Sequence, residues 1–207
     1  ELKEKDIVNR AKEALAKNLV IPFFQPILNL NNQKIEKYET LMRIKKEDGS
    51  YYLPHEFLHV AKHSKLYSKL SMSLIQKAFE TFQISSSGFS INLSYLDMTN
   101  IVTTTFIIEK LEEFNVGPWV IFEILESDGI ENYDAVSKFI EKVKSYGAKI
   151  AIDDFGAGYS NFERLAELRV DFIKIDGSLI RNIDKNDEMK IIVRTIVSFA
   201  KELGIKT

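Results

Sequence analysis

The stretch Lys149-Ile150-Ala151-Ile152-Asp153-Asp154-Phe155-Gly156-Ala157-Gly158-Tyr159-Ser160 begins as a short apolar strand and then runs into two adjacent carboxylates. A strand covered on both faces is normally close to continuous in Val, Ile and Leu. Adjacent carboxylates repel one another, so both stay ionised only beside positive charge. The glycines that follow permit a turn with positive φ that other residues resist. Paired carboxylates leaving a strand into such a loop fit one half of a two-metal hydrolytic site, in which a carboxylate bridges the ions.

Outward from this run the pattern is regular. Residues 89–93 and 119–125 upstream, and 171–175 downstream, are further short runs of β-branched and aromatic residues. Helical stretches are predicted over 100–114, 133–146, 161–168 and 188–203. The first three strand runs recur about every thirty residues, the length of one strand-plus-helix unit. Alternating strands and helices make a parallel sheet, either doubly wound or closed into a (β/α) barrel, and no G-x-G-x-x-G fingerprint favours a dinucleotide fold. Ahead of these units, 6–16 reads as an opening helix. Residues 22–30 and 35–44 read as two strands joined at Asn31-Asn32-Gln33 in a hairpin. Pro54 starts a helical region that runs to Phe82 with a break near Ser64.

Polar residues interrupt the other strand runs too: Glu39, Asn92, Glu123 and Lys174. An isolated buried carboxylate costs several kcal/mol even after relaxation, so four carboxylates within reach of each other require a compensating cation. Strand C-terminal ends converge on one mouth of a parallel barrel, which favours the barrel over the open sheet. Oxygen ligands without cysteine suit Mg²⁺, Mn²⁺ or Ca²⁺ better than zinc. Lys174, from the next strand, is placed to orient a water or to stabilise charge on a phosphoryl group.

Composition sets the frame. The 207 residues carry 28 Lys and Arg against 30 Asp and Glu, a formal charge of −2. That balance argues against a DNA-binding arm or a polybasic membrane patch. Apolar residues at 45% and charged residues at 28% are those of a folded chain. Absence of cysteine excludes disulfides, thiolate zinc and thiol catalysis. No uncharged stretch exceeds sixteen residues, and the one that begins at Asn18 contains Pro22 and Pro26, so none can span a bilayer. We expect one domain over 1–207, with the opening helix inside 1–18, and a cytoplasmic location.

These residues resemble the EAL domain family of cyclic di-GMP phosphodiesterases. The matching segments are Phe24-Gln25-Pro26-Ile27; Tyr38-Glu39-Thr40-Leu41-Met42-Arg43; Ser90-Ile91-Asn92-Leu93-Ser94; Phe122-Glu123-Ile124-Leu125-Glu126-Ser127; 153–160; and Phe172-Ile173-Lys174-Ile175-Asp176-Gly177-Ser178. They stand in family order across almost the whole chain. The resemblance implies an EAL-type (β/α)₈ barrel, TIM-like, with its first strand in a hairpin. It implies that Glu39, Asn92, Glu123 and Asp153 hold one Mg²⁺ or Mn²⁺, and that Asp153 bridges to a second ion also bound by Asp154. Glu39, Asp154 and Lys174 form the catalytic set, with Lys174 on the attacking water. Gln25, Arg43 and Asp176 face the nucleotide, and Glu126 tethers the loop containing Gly156 and Gly158. The reaction implied is hydrolysis of cyclic di-GMP to linear pGpG in bacterial second-messenger signalling. The implied partners are a second copy of the chain in a homodimer and further sensory or GGDEF-type domains in a longer, membrane-anchored or soluble protein.

Departures from the family pattern are Thr40 in the signature triplet and Ala157 in the loop. Leu203-Gly204-Ile205-Lys206-Thr207 resembles the start of the seventh barrel strand, so the barrel is expected to be incomplete and its second ion site only half supplied. A degenerate or truncated EAL domain that binds the nucleotide without turnover is the alternative, and a different two-metal phosphohydrolase on the same barrel is a weaker one. His55, His59 and His63 share one helix at spacings of four and read as partly exposed residues, with metal binding the minor reading. Apolar residues of 188–203 suit the core or a dimer contact. Trp119, Tyr51, Tyr52 and Tyr67 are aromatics whose spacing singles out no stacking site.

Overall fold

The two opening strands pair antiparallel, and every later strand joins them in parallel. In the computed structural model, all residues are described except 1, 86, 126–131, 158–161, 163–166 and 182, with backbone alone for 2 and 3. After helix α1 (Leu2–Ala16), β1 (Val20–Asn29) and β2 (Lys34–Lys45) form the hairpin. Its turn is held by side chains: the Asn31 and Lys34 amides donate to Asn29 Oδ1 (2.9 Å) and Asn32 Oδ1 (3.0 Å), while Gln33 takes φ +56°. A two-residue strand β3 (Tyr51–Tyr52) pairs with β2. Helices α2 (Pro54–Lys62) and α3 (Tyr67–Phe82) then flank the predicted break at Ser64.

From β4 (Gly88–Leu93) the chain alternates: α4 (Tyr95–Thr99), α5 (Ile101–Phe114), β5 (Val120–Leu125), α6 (Tyr133–Lys144), β6 (Lys149–Phe155), β7 (Phe172–Ile175), α7 (Gly177–Ile180) and α8 (Asp187–Glu202). The sheet order is β1-β2-β4-β5-β6-β7 with β3 off β2. The strand expected at 119–125 begins at Val120, because Gly117–Trp119 is a 3₁₀ turn. The helix expected over 161–168 falls largely outside the described residues. Sequence periodicity missed β3, α4 and α7, each too short to show a period.

The core follows from the helical and strand periods. On α3, Leu70, Leu74, Ile75, Ala78, Phe79 and Phe82 are buried, a face that recurs at three to four residues. The Phe82 ring stacks on Phe89 of β4 with centroids 4.3 Å apart. Helix α5 starts where Asn100 Oδ1 accepts the Val102 (2.9 Å) and Thr103 (3.2 Å) amides, and stops at Asn115 in the left-handed conformation. The turn from β4 into α4 is fixed by buried Asp97. Its Oδ2 accepts from the Ser94 amide (3.0 Å), the Ser94 hydroxyl (2.9 Å) and the Tyr67 hydroxyl (3.0 Å). Burial pushes the Asp97 carboxyl above its ordinary value, and the Ser94 and Tyr67 bonds oppose that rise.

Beyond β7 the chain returns to the sheet. Ile173 N donates to Lys206 O (2.8 Å) and Lys206 N to Asp171 O (3.1 Å), a parallel bridge at the start of the expected next strand. Among the described residues β1 and β7 do not pair, so the barrel is not closed, as the sequence predicts. A cleft of about 990 Å³ opens between those edges. No helix among the described residues is long and apolar enough to cross a membrane.

Candidate functional site

Parallel register decides which side chains meet. Glu39 of β2 is opposite Ser90 of β4, and Asn92, two residues on, is opposite Glu123 of β5. Residues two apart on a strand share a face, so Glu39, Asn92 and Glu123 face the same side. Asp153 of β6 and Lys174 of β7 continue the row. The result is one cluster: Glu39, Glu123 and Asp153 each present a carboxylate oxygen within 4.8 Å of the others.

Lys174 is tied to all three. Its Nζ lies 2.7 Å from Glu123 Oε2, 3.0 Å from Asp153 Oδ2 and 3.7 Å from Glu39 Oε2. Asn92 Nδ2 donates to Glu39 Oε1 at 3.4 Å. The Glu123 side chain is 2% exposed. Burial pushes its carboxyl upward, and Lys174 pulls it back. Burial would lower the Lys174 ammonium, but Glu123, Asp153 and Glu39 outweigh it and hold the amine protonated well above its usual range. One ammonium against three carboxylates leaves the cluster with excess negative charge. Hard oxygen donors with uncompensated charge are a donor set that fits Mg²⁺ or Mn²⁺.

Asp154 is placed differently. The β6–β7 register shifts between Ile152 and Phe155, and this irregularity turns Asp154 outward with φ +54°. Its amide donates to Asp153 Oδ1 at 3.0 Å while its carboxylate is exposed and outside the converged group. Partial burial raises its pKa first, and the charges of Asp153 and Asp176 add to that. Asp153 thus lies in the converged group and Asp154 beside it.

The turn behind them depends on Gly156. Its φ is +95°, and a Cβ there would fall 2.4 Å from Leu179 Cδ1 of α7. Overpacking of this kind costs about 1–3 kcal/mol, and the positive φ adds to it. For a chain of this length each kcal/mol lowers Tm by roughly 2–4 °C. Gly156→Ala is expected to lower Tm by roughly 2–12 °C, read by far-UV circular dichroism; an unchanged Tm would show that α7 does not pack against the turn as described.

The expected nucleotide-facing residues are split. Gln25 is exposed and pairs in register with Glu39, so it shares the cluster's face. Arg43 lies four residues beyond Glu39 on β2, half-buried, with Nη1 donating to Met42 O (2.9 Å) and the guanidinium 5.4 Å from the Phe23 ring centre. Asp176 is committed to α7: its Oδ1 accepts the Ser178 amide at 2.8 Å, and the Ser178 hydroxyl and amide hold its carboxyl below the usual range. Glu126 and Gly158 lie outside the described residues. Of the aromatics weighed for stacking, Tyr67 is buried against Asp97 and Tyr51 packs edge-on against Phe23 at 4.8 Å.

One residue of the site escaped the sequence reading. Lys37, two residues before Glu39 on the same face of β2, is half-buried with its ammonium 4.3 Å from the Phe172 ring centre. Burial lowers its pKa, and the charge of Glu123 opposes this. Period-two spacing from Glu39 was the available signal.

Comparison with known proteins identifies one family. A family model described as EAL domain matches residues 8–207. A cyclic di-GMP phosphodiesterase PdeB of Shewanella oneidensis is 30% identical over 205 residues, 96% of this chain and 24% of that protein. The cyclic di-GMP phosphodiesterase PdeF of Escherichia coli is 32% identical over 208 residues, covering 97% of this chain and 28% of its own length. The chain thus spans about a quarter of these relatives. Among solved structures, the FimX EAL domain from Pseudomonas aeruginosa bound to c-di-GMP superposes with a TM-score of 0.88 at 25% identity, covering 97% of this chain and 83% of that one.

Proposed function

The chain belongs to the EAL domain family, and on that premise we propose that it hydrolyses cyclic di-GMP to linear pGpG in a divalent-metal-dependent reaction. The observation that carries this reading is the convergence of Glu39, Glu123 and Asp153 around Lys174 on one face of the sheet. Glu39, Asn92, Glu123 and Asp153 would hold one Mg²⁺ or Mn²⁺, and Asp153 with Asp154 would supply part of a second site. When bound, the ions neutralise phosphodiester charge and supply an activated water.

The chain's own residues do the rest. Lys174, within 3.7 Å of Glu39, Glu123 and Asp153, would donate to the attacking oxygen and orient it toward phosphorus. Arg43 and Gln25, on the cluster's face, meet a phosphate and the nucleotide. Buried Glu123 is held in place by its 2.7 Å bond to Lys174 and needs no reorganisation when substrate binds. Homodimerisation, further domains in a longer protein and a cytoplasmic location belong to the same reading.

The test follows cyclic di-GMP by chromatography with Mn²⁺ or Mg²⁺, and again after chelation. Metal-dependent appearance of pGpG supports the proposal. A second reading, nucleotide binding without turnover, is favoured by one feature: the Asp154 carboxylate stands outside the converged group. Saturable binding of cyclic di-GMP with no product in any metal would select it.

A further inference from the structure

All three histidines of the chain lie on α2 or at its end. His55 is in its first turn, His59 in its last, and His63 is the C-cap residue with near-helical dihedrals (φ −84°, ψ 7°). All three are exposed, whereas Phe57 and Ala61 of the same helix are buried, so α2 turns its imidazoles to solvent. Side chains four apart on a helix lie one above the other, about 6 Å apart at Cβ. Residues eight apart are separated by about 12 Å of rise, so all three rings cannot meet on one ion.

The segment His55-Glu56-Phe57-Leu58-His59 also spells the H-E-x-x-H pattern, in which two imidazoles hold zinc and the glutamate acts as base. Here Glu56 is already engaged: its Oε2 accepts the Leu53 amide at 2.6 Å and closes the helix N-terminus. The hydrolytic half of the pattern is absent and the chelating half remains. We propose that α2 carries a surface site for a borderline divalent cation such as Zn²⁺, Ni²⁺ or Cu²⁺, held by His59 together with either His55 or His63, with water completing the coordination.

Imidazole donors select such ions over Mg²⁺, which keeps this site chemically separate from the oxygen cluster. The negative end of the helix dipole favours the His59–His63 pair. Lys62, three residues from His59, adds positive charge that weakens both pairs.

The test titrates Zn²⁺ alone into the protein in excess Mg²⁺, by calorimetry and by the shift in Tm, with His55→Gln, His59→Gln, His63→Gln and the His55→Gln/His63→Gln double variant. These positions are exposed, and unchanged circular dichroism confirms each variant folds. His59→Gln removes both pairs and is expected to weaken this binding by about 10–100-fold, since losing even an outer partner of a metal ligand has that effect. Each outer substitution alone leaves one of two alternative pairs and is expected to cost less than His59→Gln, with His63→Gln, which removes the favoured pair, costing more than His55→Gln. The double variant should match His59→Gln. Identical Zn²⁺ isotherms and Tm shifts for the unsubstituted protein and His59→Gln overturn the proposal. A loss for His55→Gln or His63→Gln as large as for His59→Gln overturns the shared role of His59.

Discussion

Asp153→Asn is expected to abolish cyclic di-GMP turnover while leaving the Tm close to that of the unsubstituted protein. The two effects have the same origin. Asparagine keeps the shape of the side chain and an Oδ1 that can accept the Asp154 amide, now 3.0 Å away. Its Nδ2 takes the place of Oδ2 and cannot accept from Lys174 Nζ, now 3.0 Å from Asp153 Oδ2, so Lys174 keeps Glu123 at 2.7 Å and Glu39 at 3.7 Å and loses this third partner. What asparagine removes is one of three negative charges held within 4.8 Å. In the metal-free protein those charges repel, so neutralising one relieves a repulsion that offsets the lost bond to Lys174, and Tm stays close to its original value. In catalysis the same charge anchors the divalent ions, whose contribution to the transition state is several kcal/mol, or about 10³-fold in rate. Initial rates with Mn²⁺ and a thermal melt of the same preparation test both halves. A variant within tenfold of the original rate would remove Asp153 from the metal site and the phosphodiesterase reading with it.

Much of this site is visible in the sequence because burial is costly for charge. Glu39, Glu123 and Asp153 stand where a covered strand ought to be apolar, and strand tips of a parallel sheet bring them to one end. The hairpin was equally legible, since Asn31, Asn32 and Gln33 are residues whose side chains and tolerance of positive φ make turns. Asp153 and Asp154, by contrast, are indistinguishable in sequence. A register shift of β6 against β7 separates them, and that shift depends on how Phe155 and Gly156 pack against residues far along the chain. Asp176 carries a second role as well: the resemblance points it to the substrate side, and an aspartate two residues before Ser178 also caps a helix, as its Oδ1 does here. Short α4 was readable in principle from the Ser94-x-x-Asp97 capping box, although five residues carry no period.

Lys174→Met tests the electrostatic design of the cluster more severely. Methionine preserves much of the length and apolar volume of the lysine stem but none of its charge. Glu123, 2% exposed, then loses a partner at 2.7 Å, and Asp153 loses one at 3.0 Å. Removing one member of a buried ion pair costs about 3–5 kcal/mol, because the other charge stays buried and uncompensated. At roughly 2–4 °C per kcal/mol, the Tm of the chelated protein should fall by about 6–20 °C. Glu123→Gln in the same chain should restore most of it, since the orphaned charge is gone. The loss should also depend on pH. Burial already raises the Glu123 carboxyl, and Lys174 is what holds that rise back. In the variant the folded-state value rises further above the unfolded one. A carboxyl raised on folding contributes stability that is present at acid pH and lost as pH climbs through its folded value. The deficit against the unsubstituted protein is therefore larger at pH 8 than at pH 5. Mn²⁺ or Mg²⁺ supplies the charge that the ammonium no longer does, so a thermal melt with metal should regain much of the lost Tm although turnover stays low. A variant that melts with the unsubstituted protein after chelation, with no response to metal, would show that these carboxylates do not depend on Lys174 and that no cation binds among them.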